Sequence, residues 1–175
     1  MVKIIAIRVV DRIKESGNTQ KVLNKYSSLI RTRLGFHELN DDVCSREGYI
    51  LLHLDDDEKQ TGLFLNDLDA IYGIELKQIA LGPEAGNPVK IAPASSIAVA
   101  GMLISNRDEV VLEVQRALTL YGCTIRTRLG VNLEEKGEEM GLILLELTGD
   151  NSQMNGLVDR LSKIENVSVG VIAFE

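Results

Sequence analysis

The chain has 175 residues, 45% of them hydrophobic, and a net charge of −7. That length suits one large domain or two small ones of about 80 residues, each burying its own modest core. The acidic balance argues against a nucleic-acid binder held by general phosphate attraction, which needs a basic face, and no apolar run approaches the roughly 18 to 20 residues of a membrane span.

In chain order, Met1 to Ile7 is too short and too strand-like for a signal peptide, and Lys3 to Val10 is a β-branched run that reads as a first strand. Asn18 is a plausible N-cap for a helix with Val22, Leu23 and Tyr26 on one face. A second strand covers Leu29 to Phe36, with Ile30, Thr32 and Leu34 on one face and Arg31 and Arg33 on the other. Phe36 to Glu47 is polar and acidic, a loop. Tyr49 to Leu54 is nearly all apolar, the pattern of a central strand. Asp55, Asp56 and Asp57 suit a helix start, Leu65, Leu68 and Ile71 give helical spacing, and Gly73 is a stop signal before a strand over Ile74 to Leu81.

All three prolines and two glycines fall within residues 82–96, marking a linker or crossing segment. The order of elements then repeats. A strand over Ile97 to Ile104 leads to Asn106, with Glu109 three residues on as in a capping box, and to a helix carrying Val110, Val114, Ala117 and Leu118. Strands follow at Cys123 to Val131 and Met140 to Leu147, then a helix through Leu157, Leu161 and Ile164, and a last strand over Val167 to Phe174.

The repetition is visible in the residues themselves. Ile30 to Gly35 and Ile125 to Gly130 both read Ile-Arg-Thr-Arg-Leu-Gly, with Arg126 standing 95 positions after Arg31. Gly48 to Leu54 matches Gly141 to Leu147, now 93 positions apart, and the two-residue change falls in the polar stretch between, where a surface loop tolerates a deletion. The chain is therefore read as a tandem duplication: residues 1–82 the first repeat, 83–96 a linker and 97–175 the second repeat. A β–α–β–β–α–β unit of this length has one compact solution, the ferredoxin-like α+β sandwich with both helices on one face of a four-stranded antiparallel sheet. Its other face must be solvated, covered by the sister repeat or covered by another subunit. Leu51, Leu103 and Leu144 are expected on that open side, a mixed surface that favours association.

Several constellations are weighed for chemistry. His37, His53 and Cys44 match no zinc or nickel spacing, and neither histidine recurs in the second copy; no metal site is assigned, though one shared between subunits stays open for these three. Arg46 beside Cys44 can depress a thiol pKa, yet no base stands next to it in sequence, so no catalytic residue is assigned. No glycine-rich phosphate cradle follows either first strand, and no cofactor is implied. Cys44 and Cys123 are not equivalent in the repeat, which speaks against a disulfide framework and makes the cytoplasm the default compartment. The duplicated arginines are the stronger signal. Arg31, Arg33, Arg126 and Arg128 can bind an anionic ligand or amino acid bidentately, or pair with strand carboxylates such as Glu75 or Glu146. The turn into each first helix also repeats, as Asp11-Arg12 and Asn106-Arg107, and offers free backbone N–H groups to an anion or forms a simple Asx cap.

The unit with its Ile-x-x-Arg-Leu-Gly strand, Gly-Tyr-Ile-Leu-Leu strand and final Gly-Ile-Glu-Leu-Lys or Asn-Val-Ser-Val strand resembles the small ACT-like iron-only hydrogenase system regulators, strongest at Arg33-Leu34-Gly35 and Arg128-Leu129-Gly130. The resemblance covers 3–81 and 97–174. It implies a fold similar to the C-terminal domain of the nickel-responsive repressor and to amino-acid-binding ACT domains. This sequence departs from those patterns: Phe36-His37-Glu38 and Val131-Asn132-Leu133 follow the glycine, the repressor's nickel histidines are missing, and Asp11 and Asn106 stand where ACT domains carry a glycine. The expectation is a non-enzymatic regulatory module that binds a small ligand and forms a homo-oligomer or an intramolecular pseudo-dimer. The alternative is an interaction module docking a protein partner through its open sheet face.

Overall fold

A computed structural model describes residues 1–37, 45–93, 95, 97–135 and 137–175, with only the backbone described for Arg107, Asp108 and Glu135. The expectations placed on Cys44 and on the Arg107 side chain therefore lie outside the described residues. The elements run β1 (Val2–Val9), α1 (Arg12–Lys25), β2 (Ile30–Phe36), β3 (Gly48–Leu54), α2 (Glu58–Asp69) and β4 (Ile74–Leu81), then β5 (Ile97–Ile104), α3 (Arg107–Leu120), β6 (Ile125–Glu135), β7 (Glu138–Leu147), α4 (Asn151–Leu161) and β8 (Val167–Phe174). Two antiparallel four-stranded sheets result, ordered β2-β3-β1-β4 and β6-β7-β5-β8. This is the ferredoxin-like α+β arrangement, made twice. By packing, the chain divides into Val2–Gln78 and a unit of Ile79–Glu175 with Met1.

In the first unit, Ile5, Ile7 and Val9 of β1 and Leu52 and Leu54 of β3 pack with Leu23 of α1 and with Phe64 and Leu68 of α2. In the second, Ala98, Ala100 and Met102 of β5 and Ile143, Leu145 and Leu147 of β7 meet Val114 and Leu118 of α3 and Leu157 and Leu161 of α4. Strand alternation thus sends every second residue to the helices. The other face is buried as well: Leu51, Leu103 and Leu144 are all 5% exposed or less. Each fully buried aliphatic side chain of this kind contributes about 1.5–3 kcal/mol relative to leaving it in water.

Part of that second face has a visible filling. Gly101 and Gly170 are partners across β5 and β8, and a Cβ on either would stand 3.1 Å from the Cδ1 of Ile79. Leu81 closes on the same hollow, 3.3 Å from Gly101 and 3.2 Å from Gly170 by the same measure. The proline-bearing segment is docked rather than loose. Ile91 is buried in the second core, its N–H donates to Asn155 Oδ1 at 2.9 Å, Asn155 Nδ2 donates back to its carbonyl at 3.0 Å, and Asn151 Nδ2 donates to the Ala92 carbonyl at 2.7 Å.

Two helix starts differ from the sequence reading. Helix α1 begins six residues before the expected cap at Asn18: the N-cap is Asp11, whose carboxylate accepts from Lys14 N–H at 3.2 Å. The first turns of α1 bury Glu15 and Thr19, so they carry no apolar period to read. Asn106 precedes α3 in a left-handed conformation, φ 48°, and its side chain makes no capping bond, so the expected capping box does not form. The left-handed turn before the last strand is shared, by Gly73 (φ 75°) and Asn166 (φ 62°), both residue types that tolerate it.

Candidate functional site

The repeated arginine strand carries a repeated irregularity. Between β2 and β3 the register steps from Ile30↔Leu54 to Thr32↔His53, and between β6 and β7 from Ile125↔Leu147 to Thr127↔Glu146. A bulge of this kind re-aims side chains. Beyond it Arg33 lies opposite Leu52 and Arg128 opposite Leu145, both residues of the helix-facing cores. The four arginines accordingly do not form the single face expected from plain alternation; they serve two different positions in each copy.

Arg31 and Arg126 act as partners of carboxylates. Arg31 Nη2 is 2.8 Å from Asp55 Oδ2, just past the end of β3, and this guanidinium holds the Asp55 carboxyl below the usual range. Arg126 Nη1 is 3.4 Å from Oε1 of Glu146, a carboxylate only 2% exposed that also accepts from Thr127 Oγ1 at 2.6 Å. Arg33 and Arg128 instead turn to the first helix of their unit. Arg33 Nη1 donates to Gln20 Oε1 of α1 at 3.0 Å, and Arg128 Nη1 donates to Gln115 Oε1 of α3 at 3.2 Å.

These two Arg–Gln bonds stand at two cavities of about 260 Å³ each, one in each unit between the first helix and the arginine strand. Their walls match residue for residue through the repeat. Val9, Ser16, Thr19, Gln20, Arg33, Gly35, Phe36 and His37 of the first correspond to Ile104, Val111, Val114, Gln115, Arg128, Gly130, Val131 and Asn132 of the second, and Gly48, Tyr49 and Ile50 to Gly141, Leu142 and Ile143. Arg12 completes the first wall. Its stem lies over Gly48, where a Cβ would come within 3.3 Å of its Cδ, and its Nε donates to the Ser45 carbonyl at 2.7 Å.

The structure therefore brings Arg12 and Arg33 to one cavity and Arg128 to its counterpart, while Arg31 and Arg126 belong to ion pairs elsewhere. Asp11 is committed to capping α1 and to Arg46, 2.5 Å away, whose hydrogen bond holds its carboxyl below the usual range; Asn106 lies in the equivalent turn without a capping bond. Thr19 and Gln20 were not singled out from the sequence, and His37 only as a residue for a metal site shared between subunits, although shifting Gln115 and Arg128 back by the repeat offset would have paired Gln20 with Arg33. Among the described residues no group of His, Cys, Asp or Glu is arranged to hold a metal ion, and no helix is long and apolar enough to cross a membrane. Cys123 is exposed and free, and His53 is buried in β3.

Residues 96–171 match the model of the TM1266-like family, described as "Iron-only hydrogenase system regulator, putative". No curated protein is matched by the sequence. Among solved structures, the chain is similar to the uncharacterised protein TM1266 of Thermotoga maritima, at 23% identity over 45% of this chain and 96% of that one, with a TM-score of 0.42. It is also similar to the small subunit of acetolactate synthase from Thermotoga maritima (12% identity, 99% and 96% covered, TM-score 0.37) and to an unknown protein from Galdieria sulphuraria (13%, 99% and 98%, 0.39). At these scores the likenesses add nothing to the topology already described.

Proposed function

We propose that this chain, whose residues 96–171 match the TM1266-like regulator model, is a non-enzymatic regulatory protein, an ACT-like module that binds a small ligand and self-associates. The observation that carries the reading is the duplicated cavity: the same glutamine–arginine bond stands at the same position in each unit. A cavity of about 260 Å³ falls just below the roughly 300–1,000 Å³ of drug-sized ligand pockets, which suits a metabolite. The alternative is a protein partner docked on the open sheet face.

Purified protein, unfolded and refolded to strip any carried ligand, should be screened by thermal shift against amino acids, small organic acids, nucleotides and metal salts. A true ligand at a hundredfold excess over its Kd stabilises the folded state by about 2.7 kcal/mol, a shift of several degrees. A flat response across that panel overturns the ligand-binding reading. Light scattering tests self-association, and a monomeric mass at every concentration removes that part.

A further inference from the structure

The two cavities share a plan but not a chemistry. Where the first has Ser16, Thr19 and His37, the second has Val111, Val114 and Asn132. Thr19 is the telling position. It is 3% exposed, it lies in the cavity wall, and its Oγ1 is buried with no hydrogen-bond partner among the described residues. A buried hydroxyl left unpaired is costly, and valine, of the same shape, would avoid the cost. The second copy has valine at that position, Val114. The first copy keeps a hydroxyl to which no described residue bonds.

The charges around it have one sign. Arg12 and Arg33 line the first cavity and no described carboxylate does. Glu15, one helical turn from Thr19, is not in the wall and is held by Asn18 Nδ2 at 2.9 Å, with Lys14 Nζ at 3.7 Å. Val9 and Ile50 supply apolar wall. The backbone N–H groups at the start of α1, which a phosphate would seek, are partly spent: those of Lys14 and Glu15 bond to Asp11. Guanidinium, hydroxyl and amide beside an aliphatic wall match a carboxylate head on a short apolar body.

Resting on the ligand-binding reading above, we propose that the cavity between α1 and β2 of the first unit, with Arg33, Arg12 and the unpaired Thr19 hydroxyl, is a site for a small aliphatic carboxylate, and that its counterpart at Arg128 has lost this capacity. The duplicated chain then carries one anion site.

The test uses the full chain and amide NMR spectra, with isobutyrate as probe, isobutyramide as its uncharged counterpart and inorganic phosphate as the competing anion. Isobutyrate should move the resonances of Thr19, Gln20 and Gly35 and leave those of Val114, Gln115 and Gly130 in place. Arg33→Gln should weaken binding about 10- to 100-fold, Arg33→Lys less, and Arg128→Gln not measurably. Thr19→Val should weaken binding and also raise the ligand-free Tm by about 2–4 °C, a pair of effects that a purely structural threonine would not give. Equal movement in both units, equal binding of isobutyramide, or binding of phosphate alone overturns the proposal. So does silence toward every carboxylate. If the wider thermal-shift panel still yields a ligand, only the carboxylate assignment falls; if it too is flat, both readings fall.

Discussion

At the scale of single residues, the first sheet carries a polar cluster around Arg8 and Glu47 that shares Tyr49 with the cavity wall. Arg8 donates from Nε to Glu47 Oε2 at 3.2 Å and from Nη2 to Oε1 at 3.0 Å, Tyr49 Oη adds a bond to the same carboxylate at 3.0 Å, and Arg8 Nη1 reaches Glu75 Oε2 at 3.2 Å. The hydrogen bond from Arg8 is the main reason the Glu47 carboxyl titrates below its usual range, with partial burial opposing it. A folded-state pKa below the unfolded one means the unfolded chain binds the proton more readily. The stabilisation is then complete above the ordinary glutamate value of about 4.3 and is lost as pH falls through the lower, folded value. Glu47→Gln should lower Tm at neutral pH by about 2–4 °C, discounted for the partial exposure of the pair. In thermal melts from pH 7 to pH 3, that gap between variant and parent should close below about pH 4. A gap of constant size across the range would show that the ion pair contributes nothing specific to charge.

At the scale of elements, the stretch that the sequence concealed supplies part of the cavity wall. Helix α3 is readable because Val110 and Val114 face its core. Its counterpart α1 has Glu15 and Thr19 at those positions, so a search for apolar periodicity finds the helix only from Val22 onward. Local rules fail most often where function overrides them, and the missed turns of α1 supply Arg12 and Ser16 to the cavity wall, with Thr19 and Gln20 following directly after them. The bulge was equally hidden, because no residue type announces it; Ile-Arg-Thr-Arg-Leu-Gly alternates perfectly on paper. The pairing of β5 with β8 shows a third element-level effect. Gly101 and Gly170 leave room for Ile79 and Leu81, and the first copy has Ala6 and Lys77 at the equivalent places. At Gly101 the nearest atoms are the mobile ends of Ile79 and Leu81, whereas at Gly170 one of them is Ile79 Cβ at 3.2 Å, which cannot swing aside. Removing a strand glycine returns roughly 0.5–1 kcal/mol of backbone entropy, so Gly101→Ala should be close to neutral in urea melts and Gly170→Ala destabilising. A valine at either position should cost about 1–3 kcal/mol. Equal tolerance of valine at both sites would mean that the hollow is not filled as described.

At the scale of the whole molecule, the duplication was legible from six identical residues and their flanks, and with it the strand order, because a β–α–β–β–α–β unit leaves few topologies open. Where one unit stops and the next begins can be drawn in two ways. The proline-rich stretch suggests repeats of 1–82 and 97–175 joined by a linker, whereas packing assigns residues from Ile79 onward to the second unit. The two divisions make different demands on a fragment. A piece spanning 79–175 keeps Ile79 and Leu81 over the glycine pair and Ile91 in the second core. A piece spanning 97–175 loses all three. At about 1.5–3 kcal/mol for each buried aliphatic side chain, that loss rivals the roughly 5–15 kcal/mol that stabilises an entire domain. The longer fragment should therefore unfold cooperatively at a clearly higher urea midpoint, and the shorter one should be unfolded or aggregated under the same conditions. Equal midpoints would return the boundary to residue 97 and reduce the segment before it to a tether; a wide separation would make Ile79 to Ile91 a structural part of the second unit.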